Sequence, residues 1–316
     1  RQGKAVRPMA DAEGFMEVSK RFAAAIKRDG WSGRVLPEYG TASILGNTDA
    51  SGALPTRNAR QGSFEGADKI DGDAVANTIR QRGGKTTHKG CSNCIIHCSN
   101  VYKGKSGSII TSALEYETIW AMGAMTCIDD LDAIARLDFL CDDIELDTIS
   151  TVVAVAVAMD AGFKDFGDGQ AAIKMVEEVV RATEFGLILG HGPAEVGKHF
   201  KHDRVPVVKG QSIPAYDPRA VQGIGVTYAT STMGADHTAG YAVATNIMKI
   251  GGDVDPLKPE GQVELSRNLQ IATAAIDSTG MCLFIAFAIM DQPETFQALI
   301  DLLNAYYGLS LTADDV

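Results

Sequence analysis

Basic charge, cysteine and long apolar runs are what this chain has little of, and each shortage excludes something. Acidic residues outnumber basic ones, 40 to 29, for a formal net charge of −11. Nucleic acid and anionic membrane surfaces are therefore excluded as partners, because phosphate binding needs a cationic face. The longest unbroken apolar run, MCLFIAFAIM, is ten residues, about half of the ~20 that a membrane-spanning helix requires. No membrane passage is expected. Six cysteines in 316 residues are too few for a disulfide framework, which points to a reducing compartment and leaves thiols free to act as ligands. The start shows neither Met nor a signal-peptide pattern, so the chain reads as a fragment or processed product of cytoplasmic location. Core-forming residues are plentiful: 45% of the chain is apolar, enough for one large or two ordinary domains. Partners are expected among small molecules and proteins, with a homo-oligomer left open.

Convincing strands are scarce as well, and the expected fold is mainly α. Asp11 is placed to cap a helix carrying Phe15, Val18, Phe22 and Ile26 on one face, closed by Lys27, Arg28 and Gly30. Residues 30–70 read as irregular, and the Gly52–Gly66 stretch has Pro, Asn and Gly at turn-like intervals without a sustained period. A short helix over Asp73–Gln81, one within SALEYETIWAMGAM, one through Leu131, Ile134 and Leu137, and one over TISTVVAVAVAMDAG follow. In that last stretch Val and Ala alternate as in a strand, but its length and alanine content favour a buried helix. Residues 168–185 form a further helix, with Asp168 as cap and Gly186 as terminator. Pro206, Pro214 and Pro218 interrupt the periodicity. A boundary is placed near 205, giving two helical domains, 1–205 and 206–316. Segments 220–233, 238–249 and 260–276 are expected as helices, and DQPE at Asp291–Glu294 as a capping box opening a last helix that ends near Gly308.

The chemistry gathers in HKGCSNCIIHCSNV. Cys91, Cys94 and Cys98 follow a C-x2-C-x3-C spacing, three thiols within eight residues. Thiolates so crowded repel unless a cation neutralises them, as an iron–sulfur cluster or structural zinc does with a fourth ligand. The candidates for that ligand are His88, His97 and the distant Cys282. A [4Fe–4S] cluster, a zinc site and thiol redox chemistry all remain open at this point. The spacing is the reverse of the C-x3-C-x2-C of radical enzymes using S-adenosylmethionine. Two hexapeptides also echo each other, DDIELD at Asp142–Asp147 and DSTGMC at Asp277–Cys282, and the second ends in the candidate fourth ligand.

Together these motifs carry a resemblance. GALPTRN, CSNCIIHC, LEYETIWAMG, DDIELDTIS, AYDPRAVQGIGVTYATSTMGADH and DSTGMC resemble, in order and approximate spacing, the tungsten-containing aldehyde ferredoxin oxidoreductases. The resemblance covers nearly the whole chain and implies the two helical C-terminal domains of that family, without the N-terminal pterin-binding base. It implies a [4Fe–4S] cluster on Cys91, Cys94, Cys98 and Cys282, beside tungsten or molybdenum held by two molybdopterins. Asp142 and Asp147 would serve one pterin, and Asp277, Gly280 and Cys282 the other, since carboxylates suit the N–H edge of a pterin and glycine lets backbone approach. A catalytic pair is implied at Glu117, or its neighbour Glu115, and His237. The implied activity is aldehyde oxidation with ferredoxin as electron acceptor. The alternatives are reduction of an aromatic thioester on the same cofactor, or an iron–sulfur electron-transfer module without pterin. Lacking the first domain, residues 1–316 alone are expected to bind no tungstopterin and oxidise no aldehyde. Glu145 departs from the family pattern by standing where the first hexapeptide has glycine, and Asp236 places a second carboxylate beside His237.

Overall fold

The computed structural model describes residues 8–87 and 90–315 and is built almost wholly of helices. In order these are α1 (Ala12–Arg28), α2 (Leu36–Tyr39), α3 (Leu45–Ala50), α4 (Gly72–Gln81), α5 (Tyr116–Met122), α6 (Leu131–Asp143), α7 (Thr148–Asp160), α8 (Gly169–Val180), α9 (Glu184–Gly190), α10 (Pro193–Phe200), α11 (Gln222–Thr230), α12 (Val243–Asn246), α13 (Gln262–Thr279), α14 (Ala286–Asp291) and α15 (Pro293–Tyr307). Two small antiparallel pairs interrupt them, β1 (Val101–Lys103) with β2 (Ile109–Ser112) and β3 (Val207–Val208) with β4 (Gln211–Ser212). The fold is mainly α, as expected. Among the described residues no helix is long and apolar enough to cross a membrane.

The larger core is organised around α7. Every residue from Val152 to Met159 is buried, and a helix apolar on all sides must sit inside its neighbours. It is packed by α5, α6, α8, α9 and α10. This core continues past residue 205 through Ala215, Val221, Ile224 and Tyr228. A second, smaller core joins Phe22 and Ile26 of α1 to Leu299 and Leu302 of α15, with Ile276 of α13 and Ile96 of the cysteine loop. The first and last long helices thus pack together, and Phe15 meets Tyr306 edge to face at 5.7 Å.

Asp11, Asp147 and Asp168 cap α1, α7 and α8 through their side chains, and Gly308 at φ 70° closes α15. Five local expectations are corrected. Residues 31–50 are not irregular but a chain of short helical turns, Trp31–Val35, α2, Thr41–Ile44 and α3. The helix in SALEYETIWAMGAM is confined to Tyr116–Met122, with Glu115 at its N-cap. Gly186 does not end a helix: Thr183 opens α9, and Gly186 lies inside it where a Cβ would sit 2.0 Å from the Glu178 carbonyl oxygen. The 238–249 segment shrinks to the single turn of α12. There Thr245 donates its hydroxyl to the Ile250 carbonyl at 3.0 Å and Asn246 its amide to that of Val254 at 2.9 Å, and such local bonds compete with helix continuation. The DQPE capping box does not form. Asp291 is the last residue of α14, and α15 starts with Pro293 at its first turn without a side-chain cap.

Candidate functional site

The cysteine loop hangs from a fastened stem. Lys85 and Val101 form an isolated bridge at its neck, and Gly84 passes where a Cβ would lie 2.4 Å from the Val101 carbonyl oxygen. Asn100 ties the loop's end to the start of α5, giving its amide to the Leu114 carbonyl at 2.9 Å and accepting from the Leu114 N–H at 3.2 Å. At Gly40, with φ +65°, a Cβ would stand 2.9 Å from the Cys98 carbonyl oxygen. Only glycine meets both demands at that position. These attachments place Cys98 beside Glu115, whose Oε2 accepts from the Thr41 hydroxyl at 2.6 Å.

The candidate thiols lie near enough to interact electrostatically, Cys98 with Cys282 and Cys94, and Cys282 with Cys94 and Cys91. Cys98 is pushed up to about 12 by burial first, then by the negative charge of Glu115, Cys282 and Cys94. Cys282 is raised by burial and by Cys94 and Cys91, against a lowering hydrogen bond from the Phe284 N–H. Burial first, and neighbouring thiols after it, disfavour ionisation of Cys98 and Cys282, and a bound cation would relieve that. Among the described residues no three His, Cys, Asp or Glu side chains stand close enough to hold a single metal ion. His97 gives its backbone N–H to the Cys94 sulfur at 3.2 Å, and His88 lies outside the described residues.

An apolar cavity of about 460 Å³ connects this loop to the second predicted constellation, with Cys98, Cys282, Glu115, Glu117 and His237 all on its wall. Glu117 sits in the first turn of α5. Its Oε2 accepts from the Ala215 N–H at 2.9 Å, while Oε1, 3.4 Å from His237 Nε2, is buried without a hydrogen bond. Burial raises its carboxyl above the ordinary range, and the neighbouring His237 opposes that rise. The arrangement can take up and release a proton inside an apolar space. Tyr216 and Tyr241, joined hydroxyl to hydroxyl at 2.8 Å, flank the His237 ring at 5.5 and 6.4 Å.

The two hexapeptides have the same local shape. In each, the fourth residue donates its N–H to the first residue's carbonyl, Glu145 to Asp142 at 3.2 Å and Gly280 to Asp277 at 3.0 Å. Each fourth residue is left-handed, at φ 57° and 75°. The sixth residue then caps the following turn: Asp147 Oδ2 accepts from the Ser150 N–H at 2.6 Å, and the Cys282 sulfur from the Phe284 N–H at 3.4 Å. Asp147 is thus used as an N-cap. Asp142 and Asp277 are exposed and make no side-chain hydrogen bond or ion pair among the described residues, and a Cβ at Gly280 would meet nothing within 4 Å. Of the eight residues predicted at the two loops and the pair, Cys282, Glu115, Glu117 and His237 line the cavity, whereas Asp142, Asp147, Asp277 and Gly280 do not. The exposed Asp277 carboxylate, with open space at Gly280 in the same loop, fits a flat ligand rich in N–H donors, whereas the Asp142 loop carries Glu145 at that place. Sequence reasoning missed Thr41, Tyr241, Phe284 and Phe287. Tyr216 lay inside a quoted motif, yet nothing in its spacing signalled a role.

Two of the four candidate thiols, Cys98 and Cys282, and a buried carboxylate–imidazole pair meet on one cavity in a helical scaffold, an arrangement suited to an oxidoreductase. The family model for aldehyde ferredoxin oxidoreductase, domains 2 & 3, matches residues 17–316, and the chain belongs to that family. It is similar to the tungsten-containing aldehyde ferredoxin oxidoreductase of Pyrococcus furiosus, 30% identical over 99% of this chain and 53% of the relative. The enzyme of that name from Thermococcus kodakarensis is 30% identical over 98% of this chain and 52% of its own length. More distantly, the WOR-like subunit of an aliphatic sulfonate oxidoreductase from Pyrococcus furiosus is 24% identical over 70% of the chain and 35% of its own length. The chain spans about half the length of the first two relatives.

Proposed function

We propose that this chain forms the helical part of a tungstopterin, or molybdopterin, iron–sulfur oxidoreductase of the cytoplasm. In this reading it oxidises aldehydes to carboxylic acids and passes the electrons through a [4Fe–4S] cluster to ferredoxin. The observation that carries it is the meeting, on one apolar cavity, of the Glu117–His237 pair with Cys98 and Cys282. Aldehyde and water give carboxylic acid, two electrons and two protons. When bound, the metal–pterin group supplies the two-electron acceptor and the cluster the electron exit. Cys91, Cys94, Cys98 and Cys282 hold the cluster. Asp142 and Asp147 serve one pterin, while Asp277, Gly280 and Cys282 serve the other.

The chain's own residues manage protons and position. Glu117 Oε1, buried without a hydrogen bond, accepts a proton from water or the aldehyde hydrate, and the burial that raises its carboxyl pKa makes it a stronger base than an exposed carboxylate. His237 Nε2, facing the same oxygen, hydrogen-bonds the carbonyl oxygen and passes the proton on. Glu115 lies beside Cys98 and is the reserve candidate for the carboxylate role. The test is anaerobic purification of the full-length gene product, with elemental analysis and a viologen-linked aldehyde assay. Tungsten near one per chain and turnover are expected, and Glu117→Gln should lower kcat by about 10²–10⁴ at unchanged tungsten content. Iron without tungsten, or undiminished turnover in the variant, overturns the reading.

A further inference from the structure

The cavity wall carries two chemistries. One is that of Cys98, Cys282 and Glu115. The other is a run of rings that starts beside the acid–base pair: Tyr216 meets Tyr241 at 5.3 Å, Tyr241 meets Phe287 at 6.3 Å, and Phe287 meets both Trp31 at 6.0 Å and Phe284, stacked at 6.3 Å. Phe287 is the hub and is only 7% exposed. Aromatic walls reward an aromatic ligand beyond simple burial, by roughly 0.5–1.5 kcal/mol per ring pair. At about 460 Å³ the space falls within the range of about 300–1,000 Å³ that accommodates ring-bearing organic ligands. A two-carbon aldehyde would cover little of this aromatic wall.

Charge narrows the choice further. Among the described residues no lysine or arginine lines the cavity, whereas Glu115 and Glu117 do. A carboxylate or phosphate tail entering this space would be desolvated with no cation to meet it and two acids nearby, which is strongly unfavourable.

We infer that the cavity selects uncharged aldehydes bearing an aromatic ring and rejects both short aldehydes and those with an anionic tail, with Phe287 as a specificity-determining residue. This rests on the aldehyde-oxidising reading above.

The test uses the full-length holoenzyme, with 2-naphthaldehyde, acetaldehyde, benzaldehyde and 4-formylbenzoate as substrates. The unreactive 2-naphthamide serves as a calorimetric binding probe. Expected are a kcat/KM for 2-naphthaldehyde about 100-fold above acetaldehyde and one for 4-formylbenzoate about 100-fold below benzaldehyde. Phe287→Leu, which keeps an apolar filler, should weaken 2-naphthamide binding roughly threefold to tenfold and shrink the naphthaldehyde-to-acetaldehyde ratio by a similar factor. A second variant, Leu269→Arg on the cavity wall, should raise kcat/KM for 4-formylbenzoate relative to benzaldehyde. Equal kcat/KM across the four substrates, or no binding of 2-naphthamide, overturns the inference. Absence of turnover with every aldehyde overturns the catalytic reading instead, because the amide titration reports ring recognition by itself.

Discussion

The loops Asp142–Asp147 and Asp277–Cys282 share a backbone and differ in what surrounds it. Both begin in the last turn of a long helix, turn at a left-handed fourth residue and cap the next turn with the sixth. One turn before its first Asp, α6 carries the buried acid Asp138, whereas α13 carries the neutral Thr273 at the matching place. The first loop ends in a carboxylate that holds α7 in the larger core, and the second in a thiol that lies near other thiols. A shared turn shape thus serves two ends. In one the sixth residue caps a helix of the larger core, and in the other it is the thiol that the proposed reading assigns to the cluster.

The largest effect expected of this contrast is on the cluster. Cys282→Ser should remove most of the iron and the cluster's absorbance from anaerobically prepared full-length protein, while Asp147→Asn, at the same loop position, leaves both unchanged. Cys127→Ser and Cys141→Ser serve as controls, and equal iron loss in all of these would break the contrast.

Next in size is the buried acid under the first loop. Asp138, which accepts from the Thr111 hydroxyl, is raised to about 7, chiefly by burial with Asp142 and Glu115 adding. Its folded pKa lies above the unfolded value of about 3.9, so the folded state holds the extra proton. Stability should therefore fall as pH rises from about 4 to about 7 and stay lowered above that. Asp138→Asn should be stabilising by roughly 2–4 kcal/mol at pH 8 and close to neutral at pH 4, read from urea unfolding at the two pH values. The matching Thr273→Val should show no such pH dependence.

Smaller differences concern the turns themselves. Asp147→Ala should cost about 1 kcal/mol by removing the cap of α7, against a negligible capping loss for Cys282→Ala in metal-free protein, since sulfur is a weak acceptor. Gly280→Ala should cost about 1–2 kcal/mol for its left-handed backbone. Glu145→Gly relieves the same strain but adds backbone freedom to the unfolded chain, leaving a gain of about 0.5 kcal/mol. Thermal unfolding resolves the order, and a stabilising Gly280→Ala would show that the two turns are not equivalent.

Helix starts governed by a local carboxylate were legible in the sequence: Asp11, Asp147 and Asp168 each bond an N–H two or three residues on. So was α7, because a run of Val and Ala that long has nowhere to go but inside. Where long-range packing decides, the sequence was silent. Gly186 signals a stop to a local reading, but its lack of a side chain serves the contact of α9 with the end of α8. The 31–50 region has no period because each short turn meets a different neighbour. For the site, Cys91, Cys94 and Cys98 were legible from spacing, and Glu117 and His237 from motif resemblance. Phe287 and Trp31 were not, since an aromatic ring on a cavity wall and one in a core look alike until the chain is folded.

The packing of α1 against α15 has a consequence for biogenesis. Ile96 beside the cysteines shares its core with Phe22 and Ile26 at one end of the sequence and Leu299 and Leu302 at the other. That support cannot assemble while the ribosome still holds the last of these residues, and contacts so distant along the chain form late in folding. Iron loading is therefore expected to follow emergence of α15 from the ribosome. Ribosome-stalled nascent chains ending before α15 should take up less iron than chains that extend well past it, and equal uptake would show that the loop organises without its apolar floor.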